Sequence, residues 1–187
     1  MNDIYMNSED EEISMFAVRG DLDGGKDTQT FDDIKQFIGF VIGTEEFLLP
    51  IEVMNEIIMV HQLTYVPGAP PYIEGVINLR GKILPAINLR KMMGHQTIAP
   101  TMQSRIIIAH FEDQVVGLIV DGITYVVSLQ PVEVQNQSLP GKGRGTELVS
   151  AIAKKQDKVM GIVDISKIVA ETGFDPNRRD DSDAEAS

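Results

Sequence analysis

The stretch GVINLRGKILPAINLR, residues 75–90, writes Ile-Asn-Leu-Arg twice, once on each side of a glycine. The odd positions Ile77, Leu79, Ile83, Pro85, Ile87 and Leu89 are all apolar. The even positions hold Asn78, Arg80, Lys82, Asn88 and Arg90, with Val76, Leu84 and Ala86 among them. Alternation of this kind marks a half-buried strand, and two such runs around a glycine mark a hairpin. Keeping the odd set on one face of both strands requires a loop of odd length, Arg80-Gly81-Lys82, because a one-residue slip would bury Asn78 and Arg80. Gly-Lys alone would instead suit a two-residue type II′ turn. The expectation is one buried face and a second face mixing Leu84 and Ala86 with Asn78 and Arg80, suited to docking. Arg90 is expected to close a strand and to be replaceable.

Outward from the hairpin, residues 34–170 alternate or run continuously apolar with many β-branched residues, the signature of strands. Strands are expected near 36–42, 46–51, 56–62, 72–79, 82–89, 105–111, 115–121, 124–129, 148–154 and 158–164, with turn signals between them. Many short strands at close spacing suggest a barrel or sandwich, since closure removes exposed edges. Helix is scarce. PIEVMNEII (50–58) has a proline suited to a first turn, and DISKIVAET (164–172) opens on a capping Asp and groups Ile165, Ile168 and Val169 before Gly173. TEEFLLPIEV (44–53) and EDQVVGLIVD (112–121) echo each other at an offset of 68, as two similar β modules would.

Charge is concentrated at the ends of the 187-residue chain. Residues 1–33 carry ten acids against Arg19 and Lys26, and residues 171–187 carry six against Arg178 and Arg179, while 34–170 is neutral. Segments 1–34 and 171–187 therefore read as acidic, disordered, solubilising tails around a domain at 35–170. A neutral centre with no Trp argues against nucleic acid, which rewards clustered bases and stacking platforms. The absence of cysteine removes disulfides and thiolate zinc sites. No secretory signal opens the chain and no apolar run reaches membrane-spanning length, so a cytoplasmic protein without direct membrane insertion is expected.

Chemistry finds little support. His61, His95 and His110 are dispersed and lack metal-ligand spacing, no serine sits in a G-x-S-x-G elbow, and GKGRGTE (141–147) lacks phosphate-loop order and reads as a loop. Asp121 and Asp164 end strands, which leaves a small hydrolase with a carboxylate dyad as the reading from another class.

Four stretches in order carry a resemblance. FIGFVIGTEEFLLPIEVMNEI contains a V-x-E-I-like turn at Met54-Asn55-Glu56-Ile57, and YVPGAPPYIEGVINLRGKILPAINLRKMMG holds Pro-Gly followed by G-V-x-N-L-R-G. SRIIIAHFEDQVVGLIVDGITYVVSL and ELVSAIAKKQDKVMGIVDISKIV complete the series. Together they resemble the chemotaxis coupling protein (CheW) family across most of 35–170. Met54 stands where that family prefers valine, Asn88 where it usually has Asp, and Ser150 where Gly is common. The resemblance implies a mainly β fold of two packed five-stranded SH3-like barrels with one or two short helices. It implies a non-catalytic, cofactor-free adaptor of a two-component system, joining chemoreceptor (methyl-accepting) cytoplasmic tips to the regulatory domain of the CheA histidine kinase at membrane-associated arrays. A coupling protein of a non-flagellar pathway is the alternative within the family. Carried across residue by residue, the partner-binding positions are Met54, Glu56, Ile57, Asn78, Arg80 and Gly81, with Glu56 and Arg80 matching polar positions important for coupling.

Overall fold

A computed structural model describes residues 34–137 and 144–173. The expectations for the acidic ends fall almost wholly outside these residues, as does the first part of GKGRGTE. The chain runs β1 (Lys35–Ile42), β2 (Glu45–Pro50), β3 (Met54–Met59), β4 (Ile73–Leu79), β5 (Lys82–Asn88), α1 (Leu89–Met92), β6 (Arg105–Phe111) and β7 (Gln114–Val120). It continues through β8 (Gly122–Leu129), β9 (Val134–Gln135), α2 (Arg144–Glu147), β10 (Val149–Lys155), β11 (Lys158–Val163) and α3 (Ile165–Thr172). The ten expected strands are present, and β9 adds a two-residue eleventh.

The strands form two sheets. The first has the order β8-β1-β2-β11-β10-β9 and the second β3-β6-β7-β5-β4. Both follow one plan. Each centres on a parallel pair, β2 with β11 and β7 with β5, flanked by antiparallel hairpin partners. The echo at 44–53 and 112–121 falls on β2 and β7, which hold equivalent places. A second correspondence lies in the strand-to-helix exits. Asn88 caps α1 by accepting from Lys91 N–H, and Asp164 caps α3 by accepting from Ser166 N–H. Asn and Asp both serve as caps. The sixth strand of the first sheet has its counterpart in an isolated bridge, Thr64 to Val76 on β4.

The sheets are interleaved along the chain, because all of β3 to β7 is inserted between β2 and β8. Their largest apolar cluster is shared: Phe40, Phe47 and Leu49 of the first sheet meet Ile87, Ile107 and Leu118 of the second, together with Leu89 and Ile168. Each sheet also has a smaller cluster of its own.

Three expectations are corrected. The hairpin turn has two residues, Arg80 and Gly81, with Leu79 opposite Lys82. Both turn residues have positive φ, +54° and +85°, as a type I′ turn requires, and its twist matches the flanking strands. The short turn shifts the faces, so Ile77 lies opposite Leu84, and both are buried with Ala86 in the second sheet's own cluster. Strand β5 therefore buries both faces, as a strand bonded to a parallel partner commonly does. Leu84 and Ala86 belong to the core and offer no docking face, whereas Ile83 is 54% exposed. Second, PIEVMNEII forms only one 3-10 turn, Ile51–Val53. The β-branched Ile57 and Ile58 then pair with Ile107 and Ile106, and the ladder overrides the local helical pattern. Third, the helices number three among the described residues, since α1 and α2 are single turns at stretches read as a strand end and a loop. As expected for DISKIVAET, α3 runs to the buried Thr172 and stops at Gly173 in the left-handed conformation.

Thr64 and Val76 exchange both backbone hydrogen bonds, at 3.0 and 2.8 Å, and Gly75 beside them has φ +149°. A Cβ on Gly75 would run into the Thr64 carbonyl oxygen. Gly75→Ala is expected to cost about 1–3 kcal/mol, from backbone strain and overpacking together. Thermal unfolding would read this as a midpoint several degrees lower.

Candidate functional site

Four of the six expected partner-binding residues meet at one corner of the second sheet. Asn78 ends β4 and its Oδ1 accepts the Gly81 N–H at 2.9 Å, which ties the turn closed. The turn holds Arg80 in the left-handed region, uncommon for a non-glycine residue, and displays its side chain 79% exposed. Arg80 Nη2 donates to Glu56 Oε2 at 3.1 Å, although the residues are 24 apart in sequence and lie on β3 and the β4–β5 turn. Strands β3 and β4 are the two ends of the sheet order, and the ion pair spans the gap between them.

Met54 and Ile57 take the other side of β3. The ladder to β6 is irregular between Met54 and Glu56, a bulge at Asn55, so Met54 and Ile57 both pack against the shared core while Glu56 faces away. Both are half-buried, as core residues at a rim would be. Ile83, one residue beyond the start of β5, adds an exposed apolar side chain near Arg80. Parity reasoning placed it inside, and only the true turn length reveals it.

The second arginine of the repeated phrase has a role that the sequence reading missed. Arg90 lies in α1 and grips Asp121 with two bonds, Nε to Oδ1 at 3.2 Å and Nη2 to Oδ2 at 2.6 Å, while Nη1 donates to the Gln96 carbonyl at 3.1 Å. Asp121 Oδ2 also accepts the Gly43 N–H at 2.6 Å from the β1–β2 turn. His95 and Glu45 approach to 3.3 Å on the same flank. Asp121 sits where the chain leaves the second sheet for the first, so this largely buried clamp joins both sheets at the crossover. Burial alone would raise the Asp121 pKa, but hydrogen bonds from Arg90 and Gly43 and the Arg90 charge outweigh it and hold the carboxyl below the usual carboxylate range. The expectation that Arg90 is replaceable is therefore overturned.

The carboxylates of the hydrolase reading are engaged separately. Asp121 is occupied as described, and Asp164 Oδ1 accepts from the Ser166 N–H and hydroxyl at 3.0 and 2.6 Å. His110 Nδ1 lies 2.6 Å from Asn55 Oδ1, on the strand pair that carries the bulge. Among the described residues no cluster of His and carboxylate side chains could hold a metal ion.

Two sheets of one plan, locked at a crossover and displaying a polar corner, define a small β-rich scaffold of duplicated architecture. A family model for the CheW-like domain matches residues 36–173, and the chain belongs to that family. It is 28% identical over 156 residues to the chemotaxis protein CheW of Helicobacter pylori, covering 83% of this chain and 93% of the relative. It is 30% identical over 136 residues to that of Klebsiella aerogenes, covering 73% and 82%. The crystal structure of the scaffolding protein TtCheW from Thermoanaerobacter tengcongensis superposes with a TM-score of 0.65 at 34% identity, covering 70% of this chain and 84% of that one.

The two arginines should behave oppositely on substitution. Arg80→Glu is expected to change stability by no more than about 0.5 kcal/mol, since its pair is exposed. Arg90→Glu should cost about 3 kcal/mol or more by leaving Asp121 partly buried beside a like charge. Thermal melts of both variants side by side would read the difference.

The pH dependence follows from the depressed Asp121. A carboxyl bound more tightly as its anion contributes stability that is present above its unfolded pKa, about 4, and is lost as pH falls through the lower folded value. The gap in melting temperature between the natural chain and Asp121→Asn should therefore be widest near neutrality and close below about pH 4.

Proposed function

We propose that the protein is a non-catalytic coupling scaffold of a chemotaxis-type array, linking chemoreceptor tips to the regulatory domain of the CheA histidine kinase in the cytoplasm. The observation that carries this reading is the exposed Arg80–Glu56 pair, which brings together two positions matching those important for coupling in the family. An arginine on a two-residue turn, braced by Asn78 and Gly81, can exchange a solvent-exposed carboxylate for one on a partner at small cost. Exposed ion pairs contribute about 0–1 kcal/mol, so Glu56 competes only weakly for the guanidinium. Ile83 supplies exposed apolar area beside that contact, and an arginine contact next to such a residue is a common make-up of an interface hot spot.

The test combines binding and control. Receptor-bearing membranes are sedimented with the kinase, with and without this protein, and kinase activity is followed as attractant is added. The natural chain should bring the kinase down with the membranes and render it attractant-sensitive. Arg80→Glu should melt like the natural chain yet lose receptor control of the kinase. Normal coupling by Arg80→Glu would overturn the assignment of the corner.

A further inference from the structure

Met54 and Glu56 stand two apart on β3, and a regular strand would turn both to one side of the sheet. They point to opposite sides. Met54 opposes Ala109 and packs with Ile57 on the shared core, while Glu56 opposes Ile108, which belongs to the second sheet's own cluster. The extra residue between those two pairs is Asn55. Packing of Met54 and Ile57 therefore requires Asn55 and Glu56 to share one side of the bulged strand. It does not decide which of the two polar side chains meets Arg80.

Strand β6 supplies that decision. His110 follows Ala109 and so lies on the side of Ile108, the side that Asn55 and Glu56 share. Its Nδ1 lies 2.6 Å from Asn55 Oδ1, and with the amide oxygen as acceptor the ring nitrogen carries the proton. Asn55 is thus engaged toward the start of β3, and Glu56 is the residue that meets Arg80 Nη2 at 3.1 Å. Among the described residues each of the two side chains makes one side-chain hydrogen bond, Asn55 to His110 and Glu56 to Arg80. The carboxamide also occupies a donor that a carboxylate would otherwise take, since a charged acceptor bonds an imidazole N–H more strongly than a neutral one.

We infer that Asn55 and His110 are a positioning pair for the polar corner, their hydrogen bond fixing the bulge so that Glu56, and not its neighbour, meets Arg80. The inference rests on the reading of that corner as the coupling contact, and adds to it two residues that make no bond to Arg80. A hydrogen bond in solvent contributes little to overall stability, so the pair acts on aim more than on folding.

The test compares the full natural chain with His110→Leu and His110→Asn. Leucine removes the donor and keeps bulk, whereas asparagine returns an N–H bonded to Cγ, as Nδ1 is. Nuclear Overhauser contacts between the Arg80 and Glu56 side chains report the aim. The attractant dose that half-inhibits the kinase on receptor-bearing membranes reports coupling. His110→Leu is expected to melt close to the natural chain, to lose the Overhauser contacts and to need a several-fold higher dose, and His110→Asn to restore both. Asn55→Ala removes the acceptor at an exposed position, should match His110→Leu, and decides the matter if that variant does not fold. A histidine that only supported the fold would lower the melting temperature and leave the contacts in place. Retained contacts with a normal dose in His110→Leu and Asn55→Ala would overturn the inference, as would failure of His110→Asn to restore them. Arg80→Glu in the same assay separates the two readings. If it loses control while the positioning variants keep it, the corner stands and the pair falls. If it couples normally, the corner falls, and the Overhauser contacts still decide whether the pair aims Glu56.

Discussion

The structure depends on one shared apolar layer between two sheets that could not each bury enough surface alone. The individual clusters are small; that of the first sheet has Phe37, Leu48, Val127, Leu129, Met160 and Ile162 with two alanines, and that of the second Ile77, Leu84 and four neighbours. The joint cluster recruits Phe40 stacked on Phe47 at 5.9 Å, the paired inner faces of β6 and β7, and the apolar sides of α1 and α3. Interleaving follows from the same need. With β3 to β7 inserted between β2 and β8, two connections cross between the sheets, and the first sheet brings together strands from either side of the second.

That arrangement explains where the polar devices sit. At the crossover, Arg90 and Asp121 are nearly enclosed, and a bidentate guanidinium with a backbone N–H satisfies the carboxylate that burial would otherwise penalise. At the far edge, Arg80 and Glu56 span the two ends of the second sheet in solvent, where an ion pair contributes little and can be exchanged. The repeated phrase thus places one arginine to hold the molecule together and the other to be available. Burial distinguishes them, since the local sequence does not.

The duplicated plan bears on how such a site arises. Equivalent hairpins close with positive φ at Arg80 and at Gln156, and equivalent exits are capped by Asn88 and Asp164. Only at Arg80 does the turn meet an acid on the edge strand. One scaffold repeated twice can therefore carry an exposed ion pair from turn to edge strand at one copy's corner and none at the other's.

Much was written locally. Turn residues, β-branched runs and the Asp164 and Gly173 boundaries set the ten expected strands and α3, because period and capping act over a few residues. The order of four motifs pointed to the family and to Glu56, Asn78, Arg80 and Gly81. What the sequence could not show are the properties that depend on partners distant along the chain. The length of the hairpin turn rests on Arg80 tolerating positive φ against the twist of its sheet, and it moved Leu84 and Ala86 inside and Ile83 out. The fate of Met54–Ile58 was decided by pairing with β6, and that of Arg90 by Asp121 at the end of β7 and Gly43 arriving from the other sheet. A sequence states what each residue prefers, and only the tertiary structure states which of those preferences are met by neighbours or overruled by them.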